Sequence, residues 1–393
     1  MKWPAHGRET RPWVPRGRQG SRDDRTLGEY DATIPPTIAD LTYEPAGQIA
    51  RTHDAALIEV SRLEAGWGQY LLPVRDFLLR SESVASSRIE QVDAGWRAFG
   101  KAAAGGKASD AAQSQLAAVE ALRNLVTSAD RGSIGLPAIL QAHELLMAAD
   151  PYADEPGQLR TVQNWIGGSD YSPLGADYVP PHPDRVAALM DDLLVFAARD
   201  DLPVVAQAAI VHAQFESIHP FIDGNGRLGR AVLSAVLRRR GLTRVVTVPV
   251  ASAMLADTNT YFARLGDYRR GDVDTLVGYV AAAAVHASAA AQESARRLAE
   301  LPQRWRQLAS PRAGSADEAL IDALLATPVL DAQTAQTLTG TIDTSTYRAL
   351  GRLVESGVLE VLPGGSRNRF WAASDVLAEL DRLSEAIGRR LDS

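Results

Sequence analysis

Cysteine is absent from the 393 residues, so disulfides, zinc–thiolate sites, iron–sulfur clusters and a cysteine nucleophile are excluded. Lysine is scarce, with three residues (Lys2, Lys101 and Lys107), which leaves positive charge to arginine. The most apolar stretches, VVTVPVASAML and AAAAVHASAAA, fall short of the roughly 20 residues that span a bilayer, and the first residues lack the apolar core of a secretory signal. The expectation is a cytoplasmic chain with no membrane partner. Neither the GxxxxGK(S/T) phosphate loop nor the protein-kinase motif set is present, so the commonest phosphate binders do not compete for the assignment. A net charge of −7 and a pI near 5.6 argue against wholesale coating of nucleic acid but leave room for a local basic patch.

What is present reads as ordinary globular protein, 46% hydrophobic and 23% charged, long enough for two or three domains. Residues 1–30 mix Arg, Gly, Pro and Asp without a period, which predicts a flexible N-terminal arm. A helical region is expected over 31–108: apolar residues recur at helical spacing from Gly47 to Gly66, LLPVRDFLLRSESVASSRIE continues as helix, and 98–110 reads as a loop. Helical patterns over 110–128, 135–148, 183–199, 202–218, 227–240, 258–268 and 272–300 make a core over 109–300. Within it, 151–182 is dense in Pro, Gly, Asp and Tyr, and its pieces RTVQNW and DYVPP are expected to pair as a hairpin. After a linker near 309–315, residues 316–393 read as three short helices, two strands around a Gly-Gly turn and a last helix, a winged-helix pattern.

One corner asks for more than a turn. SIHPFIDGNGRLGR, residues 217–230, sets a histidine at a helix end, then an aspartate, a Gly-Asn-Gly step and two arginines three apart on the first turn of the next helix. Free N–H groups at a helix start, with glycines that permit close approach, form an anion cradle. Arg227 and Arg230 are unfavourable against the positive end of a helix dipole unless anions lie above them, and guanidinium groups bind phosphate oxygens bidentately. Asp223 suits magnesium, which takes one or two carboxylates and completes its shell with phosphates and water. His219 can accept a hydroxyl proton, with an ordinary pKa near 6.5. Base, metal ligand, cradle and clamp within twelve residues describe phosphoryl or nucleotidyl transfer.

This stretch resembles the signature of the Fic family, HxFx(D/E)GNGRxxR, at every fixed position: His219, Phe221, Asp223, Gly224, Asn225, Gly226, Arg227 and Arg230. The resemblance implies an all-α Fic core with a short β-hairpin flap, followed here by a C-terminal winged helix-turn-helix domain. It also implies transfer of a nucleotide from ATP, most often AMP, to a Tyr, Ser or Thr hydroxyl of a target protein, with self-modification and homodimerisation as further expectations. Carried over, His219 is the general base, Asp223 binds Mg2+, Gly224, Asn225 and Gly226 cradle the α- and β-phosphates, Arg227 contacts the phosphates and Arg230 holds the γ-phosphate. Phe221 anchors the loop. PGQLRTVQNWIGG and ADYVPPHP are similar to the family's target-docking flap, with Asn164, Trp165, Tyr178 and Val179 in it. SVASSRIEQVD is similar to the family's inhibitory motif (S/T)xxxE(G/N), with Ser86 and Glu90 in place and Gln91 departing from Gly/Asn. There the glutamate is expected to pair with Arg230 and occupy the γ-phosphate position.

Two other readings stand beside the adenylyltransferase. The winged helix, with Arg348, Arg352, Arg367 and Arg369, can bind DNA or a protein partner, the former making the chain a regulator with the core as nucleotide sensor. A different donor (UTP, GTP, CDP-choline) or removal of AMP is the other, because nothing in the motif reads a base.

Overall fold

The computed structural model describes residues 3–15, 17, 19–65, 67, 70–130, 132–150, 153–363 and 369–391. The chain divides into two compact units, one of 1–54, 124–241 and 259–282, the other of 55–123, 242–258 and 283–393. The helices expected over 31–108 are thus shared: those past residue 54 group with the C-terminal segment.

In the first unit, helix Val204–Ile218 is buried along its whole length after Val204, and helix Asn225–Arg239 packs against it across the six-residue corner 219–224. Burial of Phe215, Ile218 and Phe221 removes three large side chains from water, each contributing about 1.5–3 kcal/mol. Two of the polar residues on the buried helix are tied off: Gln207 donates to the Phe196 and Arg199 carbonyls at 2.9 Å, and Gln214 donates to the Pro36 carbonyl at 2.7 Å. Helices Leu136–Met147 and Pro183–Ala198 complete the packing around this pair.

The described residues within 1–30 correct the expectation of a flexible arm. Strand Gly7–Pro12 pairs antiparallel with Glu29–Ile34, from Gly7 opposite Ile34 to Pro12 opposite Glu29. Trp13 stacks edge-on against Tyr30 (5.7 Å) and Trp165 (5.5 Å), and Ala32, Leu27 and Val179 complete the cluster. The strand GRETRP has no apolar alternation, so the pattern that announces a half-buried strand is missing, and the aromatics that hold it lie outside it.

In the second unit, helix Leu71–Ile89 is buried over most of its length, and the Glu82 carboxylate accepts the Ala251 N–H at 2.7 Å, at the start of helix Val250–Ala256. Residues 98–103, expected as part of a loop, belong to helix Gly95–Ala103, because Trp96 and Phe99 lie on one face and both bury. Its Gly100 lies against Val329, where a Cβ would collide with that side chain. The C-terminal elements run helix Ala316–Ala323, strand Val329–Asp331, helices Ala332–Thr339 and Asp343–Glu355, strands Glu360–Leu362 and Phe370–Ala372, and helix Ser374–Leu391. The strand at Val329 was not expected; it pairs with Phe370–Ala372, which forms the centre of a three-stranded antiparallel sheet. Helix Val273–Ala309 continues past the expected end at 300 and is long and apolar enough, by length and composition, to cross a membrane. Its most apolar stretch is 56% buried, as in the core helix of a globular fold.

Candidate functional site

His219 ends helix Val204–Ile218 in the left-handed conformation (φ 51°, ψ 61°), and its N–H donates to the Phe215 carbonyl at 2.9 Å. A side chain with a Cβ is strained there, so the turn is held from outside. Arg160, itself buried, supplies the hold: its Nε donates to the His219 carbonyl at 2.8 Å, Nη1 to Val162 at 3.1 Å and Nη2 to Pro181 at 2.6 Å. The Tyr178 hydroxyl donates to the Ser217 carbonyl at 2.6 Å, so two side chains from 160–178 satisfy the end of this helix. Burial draws the His219 pKa from 6.5 to about 3, with the charges of Arg160 and Arg269 acting in the same direction and the Glu216 carbonyl opposing them. The ring is therefore neutral at every ordinary pH, rather than titrating near 6.5 as expected.

The loop beyond is fixed through Phe221. Asn225 accepts its N–H at 2.9 Å and donates to its carbonyl at 2.8 Å, and Asn164 donates to the same carbonyl at 2.8 Å. The Asn225 side chain is thus spent on the loop, and only its backbone is left to serve an anion. His143 stacks on the Phe221 ring at 3.8 Å; Gly157 N–H donates to its Nδ1, so Nε2 carries the proton that bonds the Asp223 carbonyl at 3.2 Å. Burial lowers the His143 pKa to about 4, in keeping with that neutral tautomer.

Gly224 precedes the next helix with φ +76°, and a Cβ on it would meet Leu146 and Met147 at 3.0–3.1 Å. Its carbonyl takes the Leu228 N–H, so the N–H groups of Asn225, Gly226 and Arg227 precede the helical ladder. Asp223 accepts the Gly224 N–H at 2.6 Å and lies 3.7 Å from Arg227, with 68% of its side chain exposed. One exposed carboxylate beside a cationic helix start matches what Mg2+ takes from a protein when phosphates supply the rest of its shell. Among the described residues no group of three or more His, Asp or Glu forms a metal cage.

Arg230 is only 2% exposed. Its guanidinium lies 3.4 Å from the Tyr261 hydroxyl, which is also 3.0 Å from His212 Nε2, a ring held neutral by burial with a pKa near 3. Arg227 and Arg230 differ in their neighbours: Arg227, its side chain 8% exposed, lies beside Asp223 at the helix start, and Arg230 belongs to an interior polar group with Tyr261 and His212.

The proposed flap is less regular than a hairpin. Ile166 and Tyr178 form a single bridge, with the Ile166 N–H donating to the Tyr178 carbonyl at 2.9 Å. Trp165 packs in the Trp13 cluster and donates from Nε1 to the Ser169 carbonyl, and the Val179 carbonyl accepts the Thr33 N–H at 2.9 Å. Asn164, Trp165, Tyr178 and Val179 are thus engaged in packing and bonding within the fold, and the apolar groups this segment offers outward are Ile166, Tyr171 and Leu174.

Ser86 is buried on helix Leu71–Ile89, and Glu90 follows as an exposed residue at its C-cap. Gln91 has φ +62°, the left-handed turn that glycine or asparagine adopts more readily. In the C-terminal segment Arg348 and Arg369 are exposed, but Arg352 is paired with Asp317 at 2.8 Å, and Arg367 lies outside the described residues. The basic patch is thereby thinned. Sequence reasoning missed Arg160, His143 and Tyr261. Arg160 sits inside the PGQLRTVQNWIGG stretch read as flap, where an arginine flanked by apolar and amide residues was a usable signal.

The model of the Fic/DOC family matches residues 133–237. Among curated proteins the chain is 30% identical over 166 residues to protein adenylyltransferase fic-1 of Caenorhabditis elegans, covering 42% of this chain and 30% of that protein. It is 32% identical over 152 residues to protein adenylyltransferase Fic of Drosophila willistoni, covering 38% and 27%. The chain thus spans about a third or less of the length of these relatives. Among solved structures it is similar in fold to a Fic family protein from Desulfovibrio desulfuricans G20, with TM-score 0.54 and 22% identity over 84% of this chain and 97% of that one. A Fic domain containing signaling protein from Bacteroides thetaiotaomicron gives 0.51 and 18% over 62% and 97%.

Proposed function

The chain carries a Fic domain over residues 133–237, and from that premise we propose that it is a protein adenylyltransferase, moving AMP from ATP to a Tyr, Ser or Thr hydroxyl of a target protein. The observation that carries the reading is the corner itself: a neutral imidazole, an open helix start, a flanking arginine and an exposed carboxylate, with the backbone between them braced by Asn225, Asn164 and Arg160. The names of the relatives, protein adenylyltransferases, support it.

In this mechanism His219 accepts the proton of the target hydroxyl as its oxygen bonds to the α-phosphorus and the bond to pyrophosphate breaks. The resting imidazole is a weak base. Its pKa is held down by burial and by two arginine charges, and the negative charge of a bound triphosphate acts the opposite way, so nucleotide binding strengthens the base. The N–H groups of Asn225 and Gly226 and the Arg227 guanidinium face the charge that develops on the phosphates. Mg2+, held by Asp223, would neutralise charge on the leaving pyrophosphate. Arg230 has the charge for the γ-phosphate, but its burial requires local rearrangement before a nucleotide reaches it.

Auto-inhibition by Glu90 belongs to the proposal on the strength of the Ser86–Glu90 spacing and its place at the helix end. The winged-helix reading of 316–393 rests on the order of its elements, and DNA binding is set aside because Arg352 is spent on Asp317.

The test is intact-mass analysis of the protein, alone and with cell extract, after incubation with ATP, GTP, UTP or CDP-choline. Modification by ATP alone, silenced by EDTA, is the expected result. Glu90→Gly should raise the rate by about tenfold or more, the scale of an allosteric coupling of 1–3 kcal/mol. Preference for another nucleotide changes the donor. A Glu90→Gly protein no faster than wild type removes the inhibitory reading and leaves the transferase standing.

A further inference from the structure

A second site lies in the other unit. A cavity of about 200 Å³ opens between helix Leu71–Ile89, helix Gly95–Ala103 and the C-terminal elements, walled mainly by Phe99, Ala104, Pro328 and Leu377, with Arg80, Trp96, Thr327 and Thr334 as its polar members. Arg80 donates from Nη2 to the Ala326 carbonyl at 2.9 Å, and among the described residues no carboxylate forms an ion pair with it. Asp76, one turn back on its helix, acts on the guanidinium only from a distance and is itself engaged by Arg75 at 3.0 Å. Trp96, 6% exposed, has its indole Nε1–H buried with no acceptor.

Both features have a cost that packing does not explain. A guanidinium in an apolar surround is destabilised unless an anion accompanies it, and burial does lower the Arg80 pKa. An indole N–H buried without a partner is likewise uncommon. The volume exceeds the 150 Å³ or so of an engineered apolar cavity that binds benzene, so it admits one six-membered ring and a small polar group.

We propose that this cavity is a binding site for a small aromatic monocarboxylate, its ring against Phe99, Pro328 and Leu377, its carboxylate on the guanidinium of Arg80 and within the reach of Trp96. A planar carboxylate matches the guanidinium fork and supplies a counter-charge in direct contact, which Asp76 does not. The apolar walls disfavour a phosphate or sulfate, which has no surface to bury there. The assignment concerns a ligand outside the transferase site and does not depend on that reading.

The test is calorimetric titration of the full chain with phenylacetate and with its neutral isostere phenylacetamide. Phenylacetate should bind saturably with a Kd at or below the order of 10 mM, the weakest value expected for a ligand of this size in a fitting pocket. The amide should bind at least about tenfold more weakly, because it lacks the charge. Arg80→Met should weaken the acid by about 10–100-fold and leave the amide little changed. Ala104→Leu fills the space without touching the guanidinium and should abolish both. Equal binding of acid and amide, no saturable binding of phenylacetate to wild type, or binding that survives both substitutions would each overturn the assignment. The first two comparisons use only the wild-type protein, so an unfolded variant does not decide them.

Discussion

Residues 157–181 and 217–230 are neighbours, joined where the Arg160 N–H meets the Pro220 carbonyl at 2.9 Å, and both are irregular and rich in glycine. They are built in opposite ways. In the corner, side chains close at hand brace the backbone, as Asn225 does for Phe221, and the charges of Asp223 and Arg227 flank the helix start. In 157–181 the polar side chains that brace the fold serve distant partners: Arg160 serves His219 across 59 positions, and Gln163 takes the Tyr30 hydroxyl across 133. The first region holds the groups of the proposed chemistry and the second holds the first in place. Local spacing is therefore informative about one and almost silent about the other.

Substitutions should separate the two roles, and the largest effect belongs to the corner. His219→Asn removes the base while keeping a residue that tolerates the left-handed turn, so transfer should fall by about 10²–10⁴-fold. Thermal melting should show a nearly unchanged fold, and an equally active Asn variant would take His219 out of the mechanism. Next comes the bracing region. Arg160→Met leaves the carbonyls of Val162, Pro181 and His219 without their donor and should cost about 3 kcal/mol or more in urea unfolding. A loss below about 1 kcal/mol would mean that water replaces the guanidinium.

Acid should weaken the same framework. His143 and His212 are neutral in the folded chain, with pKa values near 4 and 3, whereas unfolding restores them to about 6.5. The unfolded state then binds more protons, so the stability present above pH 6.5 is lost as pH falls toward 4. The slope is about 1.4 kcal/mol per pH unit for each histidine. Flat stability from pH 6.5 to 5 would contradict the buried, neutral assignment. Gly224→Ala should cost about 1–2 kcal/mol for the backbone alone, with crowding against Leu146 and Met147 adding to it. The smallest expected effect is none: kcat/KM should not bend near pH 6.5, because that ratio reports the free protein, in which His219 titrates near 3. A clear inflection at 6.5 would show the ring to be more hydrated than its burial implies.

The corner was legible because the groups of the proposed phosphate site lie within a few residues of one another, and eight fixed positions from His219 to Arg230 carry the pattern. Long helices such as Val204–Ile218 and Asp110–Ala129 follow from apolar spacing. Strand Gly7–Pro12 was hidden because neither of its faces is apolar, and Gly95–Ala103 because glycines at 105 and 106 drew the break too early. The depressed pKa of His219 could not be read at all, since it depends on Arg160 and Arg269 arriving from elsewhere in the chain.

Helix Leu71–Ile89 has a further consequence. Arg80 and Glu90 are ten positions apart on one continuous segment, about 15 Å along its axis at 1.5 Å per residue. A helix this short does not compress, so an axial slip or roll at Arg80 is delivered at Glu90 with nearly the same amplitude. Arg80 and Glu90 thus report on one mechanical coordinate. Exchange protection gained on filling the cavity beside Arg80 should extend along the whole segment as a block instead of fading with distance from the ligand.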